Sequence, residues 1–517
     1  MAERNHFSGT RLARRAFLIT TATTLALATF ANPVDAKKDK KSKTEPTPTV
    51  PITLGSMYSV VDQIGARTMW ERGITGAGVN VAVIDTGVAP VDALSGPDKV
   101  IALVDLSAEA EIEEATYLDT YGHGTHMAGI IAGRTPGADP TTAEDHPEWF
   151  MGVAPDASLI SVKVGDNSGA VDVSQVIAGV DWVIEHADEL DIRVLNLSFG
   201  SDSLHSYLTD PMTYAVERAW KAGIVVVVAA GNDGLGEARL AVPANDPYMI
   251  SVGGLEAASN SAFVIPDWAT NGNMVRNPDI GAPGTSIESL RSPGSRADLE
   301  HPTARVGDDL FLGSGSSQAA AVTSGAAALL LQEQPSLTPD QVKAKLKRGA
   351  DAGAVPFASE IYRGEGLLRV DVASSAPTFL ATQLHPAALG TGSLHGSRGS
   401  ASMTVLGITL EGEVTVLGND WLGSSWTGSR WTGSRWTGSR WTDAEWMGSR
   451  WTGASWTGSR WTGSRWTGAD WAGSRWTGAE WNEASWSGSR WTGSRWTGSS
   501  WSGSRWTGSS WSSAGWS

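Results

Sequence analysis

The chain has 517 residues, 41% of them hydrophobic and 18% charged, enough to bury one large core and leave length for further regions. A formal charge of −16 excludes a general nucleic-acid binder, because phosphate recognition draws on a surplus of Lys and Arg. The absence of cysteine excludes disulfides, thiolate metal centres and cysteine nucleophiles together, which leaves covalent catalysis to Ser, Thr or another side chain.

Residues 1–36 read as an export signal. Arg11, Arg14 and Arg15 precede an apolar stretch from Ala16 to Ala31, and Val34-Asp35-Ala36 offers a small-x-small cleavage site before Lys37. The run Arg14-Arg15-Ala16-Phe17-Leu18 resembles a twin-arginine signal. A membrane anchor is the competing reading, although the stretch is marginal for a bilayer of about 30 Å. Export implies a secreted or cell-surface protein. Residues 37–51, rich in Lys, Thr and Pro, read as a linker too polar to bury a core.

Between residues 52 and 375, short apolar runs alternate with helix-like stretches. Val79 to Ile84, Leu159 to Val164, Arg193 to Leu197, Ile224 to Ala230 and Met249 to Val252 lack polar alternation, which suits strands buried on both faces of a parallel sheet. Val173 to Glu185, Pro211 to Ala222 and Gln318 to Gln332 carry helical spacing. The expected fold is a three-layer α/β domain with a mostly parallel sheet. Residues 376–420 read as a linker with a hairpin in Met403 to Leu417, turning around Glu411-Gly412. From Trp421 to Trp516 a Trp stands at every fifth residue, which accounts for 20 of the 25 Trp and defines a low-complexity repeat tail.

Three segments carry residues suited to covalent catalysis. Val79-Asn80-Val81-Ala82-Val83-Ile84 runs into Asp85-Thr86-Gly87, placing a carboxylate at the carboxyl end of a buried strand, where open α/β sheets gather their ligand sites. Alone, Asp85 could equally cap a turn. Gly122-His123-Gly124-Thr125-His126 leads into a small-residue helical run, Met127 to Gly133. The His123/His126 spacing admits a metal pair, but no HExxH pattern or third ligand accompanies it. Gly313-Ser314-Gly315-Ser316-Ser317-Gln318 feeds an Ala-rich helix, setting hydroxyls at a helix N-terminus where developing negative charge is favoured. A serine there is by itself usually an N-cap.

In the order Asp, His, Ser, the segments AVIDTGV, GHGTHMAGIIAG and GSSQAAAVTSGAAAL resemble the subtilase family of serine proteases. The likeness continues through GVAPDASLISVKV, LNLSFG, VVVVAAGNDG and GAPG, and covers roughly residues 58 to 350. It implies a secreted serine endopeptidase with Asp85, His123 and Ser317 as the triad and Asn232 as a side-chain oxyanion donor. It further implies that Ser198-Phe199-Gly200 pairs with an extended substrate, and that Ala229-Ala230-Gly231 lines the opposite wall of an open specificity pocket. No cofactor is implied. Calcium sites are common in the family, and the acidic insert Asp139 to Glu148 is either a cation site or a solvated loop.

The chain departs from the family's Gly-Thr-Ser-Met-Ala-x-Pro pattern at Ser316, Gln318 and Ala321, which leaves Ser314 and Ser316 close enough to Ser317 to compete for the nucleophile's place. The linker 37–51 is too short for a folded inhibitory prosegment, so the enzyme either folds unaided or draws on its C-terminal region. The unit Trp-Thr-Gly-Ser-Arg resembles the pentapeptide-repeat pattern of a square β-solenoid, with a disordered Gly/Ser-rich tail as the other expectation. Ten Arg against five acidic residues give the tail +5 and the remainder −21. Such a ribbon suits docking on the acidic enzyme, or on a cell-wall glycan or anionic envelope polymer. The alternative for the whole chain is a non-catalytic scaffold or adhesion protein.

Overall fold

A computed structural model describes residues 52–416, apart from 111, 113–114, 237, 401–402 and 406–407, together with Trp421 and strand backbone between Trp426 and Ser513. The expected signal and linker, 1–51, lie outside the described residues. In chain order the principal elements are α1 (Met57–Gln63), α2 (Ala66–Trp70), β1 (Asn80–Asp85), β2 (Val100–Asp105), α3 (His123–Ala132), β3 (Ser158–Lys163), α4 (Val173–Glu185), β4 (Ile192–Leu197), α5 (Pro211–Lys221) and β5 (Val225–Ala229). They continue with β6 (Ile250–Ser259), β7 (Ala262–Val264), β8 (Ile280–Pro283), β9 (Ile287–Leu290), α6 (Arg296–Glu300), β10 (Arg305–Val306), β11 (Leu310–Gly313), α7 (Ser316–Glu333) and α8 (Pro339–Gly349).

The main sheet runs β2-β3-β1-β4-β5-β6-β7, with β8 paired to β6, and is parallel except where β7 meets β6. Its central strands are Val-, Ile- and Leu-rich and buried almost throughout, which requires cover on both faces and therefore three layers. α7 lies across β4, β5 and β6 with α3 beside it, while α4 packs on α5. Four of the apolar runs read from the sequence become strands within a residue, and the fifth, Met249 to Val252, opens β6, which runs on to Ser259. β2 escaped that reading because it is an edge strand, half exposed and mixed in composition. β1 sits between β3 and β4, so the carboxyl ends of three strands converge on Asp85.

Residues 376–416 are not a free connector. Leu394 is fully buried in the main core, and the backbone of Gly392 donates to Thr209 O at 2.6 Å and that of Leu389 to Leu208 O at 2.7 Å. Arg398 inserts its guanidinium against Asp172, the N-cap of α4, with Nε to Oδ2 at 2.6 Å and both side chains almost completely buried. This strap joins loop 201–210, α5 and the start of α4. The hairpin expected around Glu411-Gly412 forms earlier, with Thr404–Val405 antiparallel to Ile408–Thr409. Among the described residues no helix is long and apolar enough to cross a membrane.

Candidate active site

Asp85 ends β1 and is nearly inaccessible to solvent. Its Oδ1 accepts the backbone N–H of Thr86 at 2.8 Å and lies 2.8 Å from His123 Nδ1, with Oδ2 at 3.0 Å from the same nitrogen. A carboxylate on Nδ1 makes that nitrogen the protonated one and leaves Nε2 as the acceptor. His123 opens α3 behind Gly122, which takes φ 111°, a left-handed conformation open to glycine without penalty. Gly124 is required for a different reason: a Cβ there would come within 2.1 Å of Gly87 O, so the helix could not reach β1.

Sequence reasoning missed the group that fastens this helix. Asp119 is buried and accepts from Gly122 N (2.6 Å), Thr125 N (2.7 Å) and Thr86 Oγ1 (2.7 Å), while Thr86 Oγ1 in turn accepts from Gly124 N (2.9 Å). Burial pushes the Asp119 carboxyl above its usual value against these hydrogen bonds. Its only sequence signal is an Asp four residues before a Gly-flanked His. Burial by itself would lower the His123 pKa, but the charge and hydrogen bond of Asp85, with Asp119 beyond, outweigh it and hold the imidazole above its ordinary value.

Beneath the His123 loop lies a second unanticipated pair. Lys163, the register partner of Asp85 at the end of β3, is fully buried. Its Nζ donates to Glu109 Oε2 (2.7 Å), Ala115 O (3.0 Å) and Leu118 O (2.7 Å). Glu109 also accepts from Thr120 Oγ1 at 2.6 Å, so the pair grips the segment that delivers Asp119 and His123.

The serine cluster separates into three distinct environments. Ser314 Oγ accepts from Ser286 N at 2.8 Å near the surface. Ser316 Oγ donates to Asn232 Oδ1 at 2.9 Å and accepts from Gly231 N at 3.1 Å. Ser317 Oγ donates to Ser198 O at 3.3 Å. Asn232 Oδ1 also accepts the Ser316 backbone N–H at 2.8 Å. Two donors on one oxygen fix the amide's orientation and leave Nδ2 as the outward donor.

The departures from the family pattern have local explanations. Ser316 retains the hydroxyl that Thr would supply. Gln318 and His126 both lie against Gly313, where a Cβ would meet Gln318 Nε2 at 2.5 Å and His126 Cε1 at 2.9 Å. Ala321 is fully buried within an unbroken α7. His126 is not part of a metal pair. Its Nε2 faces Phe311 O (3.0 Å) and Ile287 O (3.3 Å), and burial followed by the His123 charge lowers its pKa to about 4. The acidic insert forms a short turn with Asp139 capping Thr141 N at 2.9 Å, and among the described residues no cluster of three or more His, Asp or Glu is arranged to hold a metal.

The expected substrate-binding residues flank these groups. Ser198 O touches Ser317, Phe199 packs on the core, and Gly200 leads into Ser201, which exchanges backbone hydrogen bonds with Val242 at 3.0 and 2.9 Å. Ala241 N donates to Ala230 O at 2.9 Å. Residues 240–242 therefore run between the 198–201 and 229–231 segments, a role no sequence feature announced. Ala229 and Ala230 are small and buried, and Gly231, at φ 122°, has Thr270 Oγ1 within 2.8 Å of the place a Cβ would occupy.

The fold that sets a strand-end aspartate on a histidine and a serine-led helix beside a fixed asparagine matches the subtilase family over residues 76–366. The chain belongs to that family. It is 39% identical over 289 residues to the serine protease AprX of Bacillus subtilis, covering 54% of this chain and 62% of that protein. It is 31% identical to a subtilisin of Bacillus pumilus over 316 residues, covering 61% of this chain and 97% of the relative. Fervidolysin from Fervidobacterium pennivorans, a keratinolytic enzyme related to subtilisin, matches with a TM-score of 0.50 and 26% identity, over 65% of this chain and 50% of that structure.

Proposed function

We propose that the protein is a secreted serine endopeptidase acting on polypeptides through Asp85, His123 and Ser317. The observation that carries this reading is the Asp85–His123 bond, at 2.8 Å, together with a serine cluster in which Ser314 and Ser316 hold other partners and Ser317 contacts Ser198 of the segment 198–200. The mechanism requires the Ser317 hydroxyl to leave Ser198 O, to which it donates, and bond to His123 Nε2. The imidazole then removes the proton as Oγ attacks the scissile carbonyl, and Asp85 stabilises the imidazolium through Nδ1–H.

The oxyanion of the tetrahedral intermediate sits between Asn232 Nδ2 and the Ser317 backbone N–H at the start of α7, where the helix dipole adds to the stabilisation. His123 returns its proton to the leaving amine, and a water deprotonated by the same nitrogen hydrolyses the acyl-enzyme. An extended peptide pairs with Ser198-Phe199-Gly200, and the small residues Ala229-Ala230-Gly231 admit a large apolar side chain. The basic tail retains the exported enzyme at the cell surface through a wall glycan or envelope polymer. A chain ending at Leu417 that stays with cells as fully as the whole protein overturns the retention reading.

A serine-directed fluorophosphonate tests the chemistry. Capture at Ser317, lost in Ser317→Ala and in His123→Ala, is expected. Folded protein that takes no label at any serine is the non-catalytic scaffold instead.

A further inference from the structure

Two segments lead away from the site. Residues 164–172 start on Asp85, whose backbone oxygen accepts from Val164 N at 2.8 Å and from Gly165 N at 3.2 Å. Gly165 lies so close to Thr86 that a Cβ would come within 2.7 Å of Thr86 Cγ2, and a Cβ on Gly169 would meet the ring of Tyr121, two residues before His123, at 3.0 Å. This segment ends at Asp172, the N-cap of α4. Residues 198–202 start beside the serines, where Ser198 O accepts from Ser317 Oγ and Ser198 Oγ donates to Ser317 O, both at 3.3 Å. They end at Asp202, which is exposed.

One short stretch of the strap, residues 397–400, takes hold of both outer ends. Ser397 O accepts the buried Ser201 hydroxyl at 2.7 Å. Arg398 reaches the other segment, with Nε to Asp172 Oδ2 at 2.6 Å. Gly399 passes so close to Asp202 that a Cβ would sit 1.9 Å from its Oδ1. Ser400 N donates to that oxygen at 2.7 Å, and Ser400 Oγ donates to Oδ2. The strap is itself braced, since Arg398 Nη1 donates to Gly412 O at 2.7 Å and Glu413 Oε2 accepts Leu394 N at 2.8 Å, with Leu394 in the core. A closed ring results: from Asp85 along 164–172, across Arg398 to Ser397, and back from Ser201 to Ser198 and Ser317. Residues 397–400 lie outside 76–366, the span that matches the family.

We infer that residues 397–400 are positioning residues for an extended polypeptide substrate, an assignment that rests on the proposed pairing of such a peptide with Ser198-Phe199-Gly200. By fixing the outer ends of 164–172 and 198–202 relative to each other, the strap holds that edge in place before the peptide arrives. A segment ordered only on binding gives up part of the interaction free energy to its own ordering, and a segment already held does not. The benefit goes to chains long enough to run along 198–200. A substrate that engages the reacting groups alone gains nothing from it. The strap therefore acts on KM for long substrates and leaves kcat unchanged.

The test uses the full chain and two substitutions at Asp202. Asp202→Ala removes both bonds to Ser400. Asp202→Asn keeps them, its amide oxygen accepting Ser400 N and its amide nitrogen donating to Ser400 Oγ. Both are assayed on a tetrapeptide p-nitroanilide ending in Phe and on p-nitrophenyl acetate, an ester with no peptide chain. Asp202→Ala is expected to raise KM for the peptide about three- to tenfold, the net worth of roughly one hydrogen bond, with kcat and ester turnover unchanged. Asp202→Asn should restore the KM. An unchanged peptide KM in Asp202→Ala overturns the inference. So does an equal rise in Asp202→Asn, which traces the effect to the carboxylate charge, or an equal loss on the ester, which traces it to the reacting groups. Protein that takes the fluorophosphonate yet gives one of these results loses only the strap's role, whereas unlabelled, inactive wild-type protein removes the protease reading and this inference with it.

Discussion

Asn232 Oδ1 receives both the backbone N–H and the hydroxyl of Ser316, at 2.8 and 2.9 Å, and this pair of bonds fixes which way the Asn232 amide is turned. In the proposed mechanism Ser316 is thus a positioning residue for the proposed oxyanion donor. Asn232→Ala is expected to lower kcat by about 100- to 1,000-fold with little change in KM, a range established on subtilisin itself. Ser316→Ala keeps one of the two donors and should show a smaller loss in the same parameter. A change confined to KM in either variant refutes the assignment.

The raised His123 pKa has a kinetic sign. Only the neutral imidazole accepts the serine proton, so kcat/KM falls as pH drops through the His123 pKa, and that acidic limb should lie above the ordinary histidine value of about 6.5. Asp85→Asn removes the charge that holds the pKa up. The variant should lose about 10⁴ in kcat, and its residual activity should titrate at lower pH. A limb that stays in place in Asp85→Asn shows that Asp85 does not set it.

Lys163 and Glu109 form a buried ion pair whose loss leaves one charge uncompensated. Lys163→Met should destabilise the fold by about 3–5 kcal/mol, read as a lower urea midpoint. Adding Glu109→Leu should recover much of that loss, because the orphaned carboxylate is gone. Activity should not recover in parallel, since the grip on the segment delivering Asp119 and His123 is still missing. Full recovery of both reduces the pair to a purely structural role.

The strap makes a second stability prediction. Arg398→Leu strands the Asp172 carboxylate in the core and should also cost about 3–5 kcal/mol. A chain ending at Ser375 loses the buried Leu394 as well and should unfold at still lower denaturant. An unchanged midpoint in both shows that residues 76–366, the span matching the family, hold the fold alone.

Much of this was legible beforehand because it is local. β1, β3, β4 and β5 announce themselves as short apolar runs, and Asp85, His123 and Asn232 stand in motifs only a few residues long. β2 was not legible because an edge strand does not need a continuous apolar run. Lys163 was hidden at the end of such a run, where one charged residue reads as a strand terminus. Residues 376–420 read as a linker because Leu394 and Arg398 sit among Gly, Ser and Pro, and nothing nearby shows that a core and a carboxylate await them.

By itself, then, the sequence determined the family, the central strands and the residues available for chemistry, since periodicity and short motifs act over neighbouring positions. The tertiary structure decided which partner each of the three serines takes, how the Asn232 amide is held, and what braces the His123 loop and the start of α4. Those outcomes depend on contacts spanning 84 residues between Ser316 and Asn232, 54 between Lys163 and Glu109, and 226 between Arg398 and Asp172. Partners that far apart leave no local pattern, because burial and hydrogen-bond pairing arise only once the layers have closed on one another.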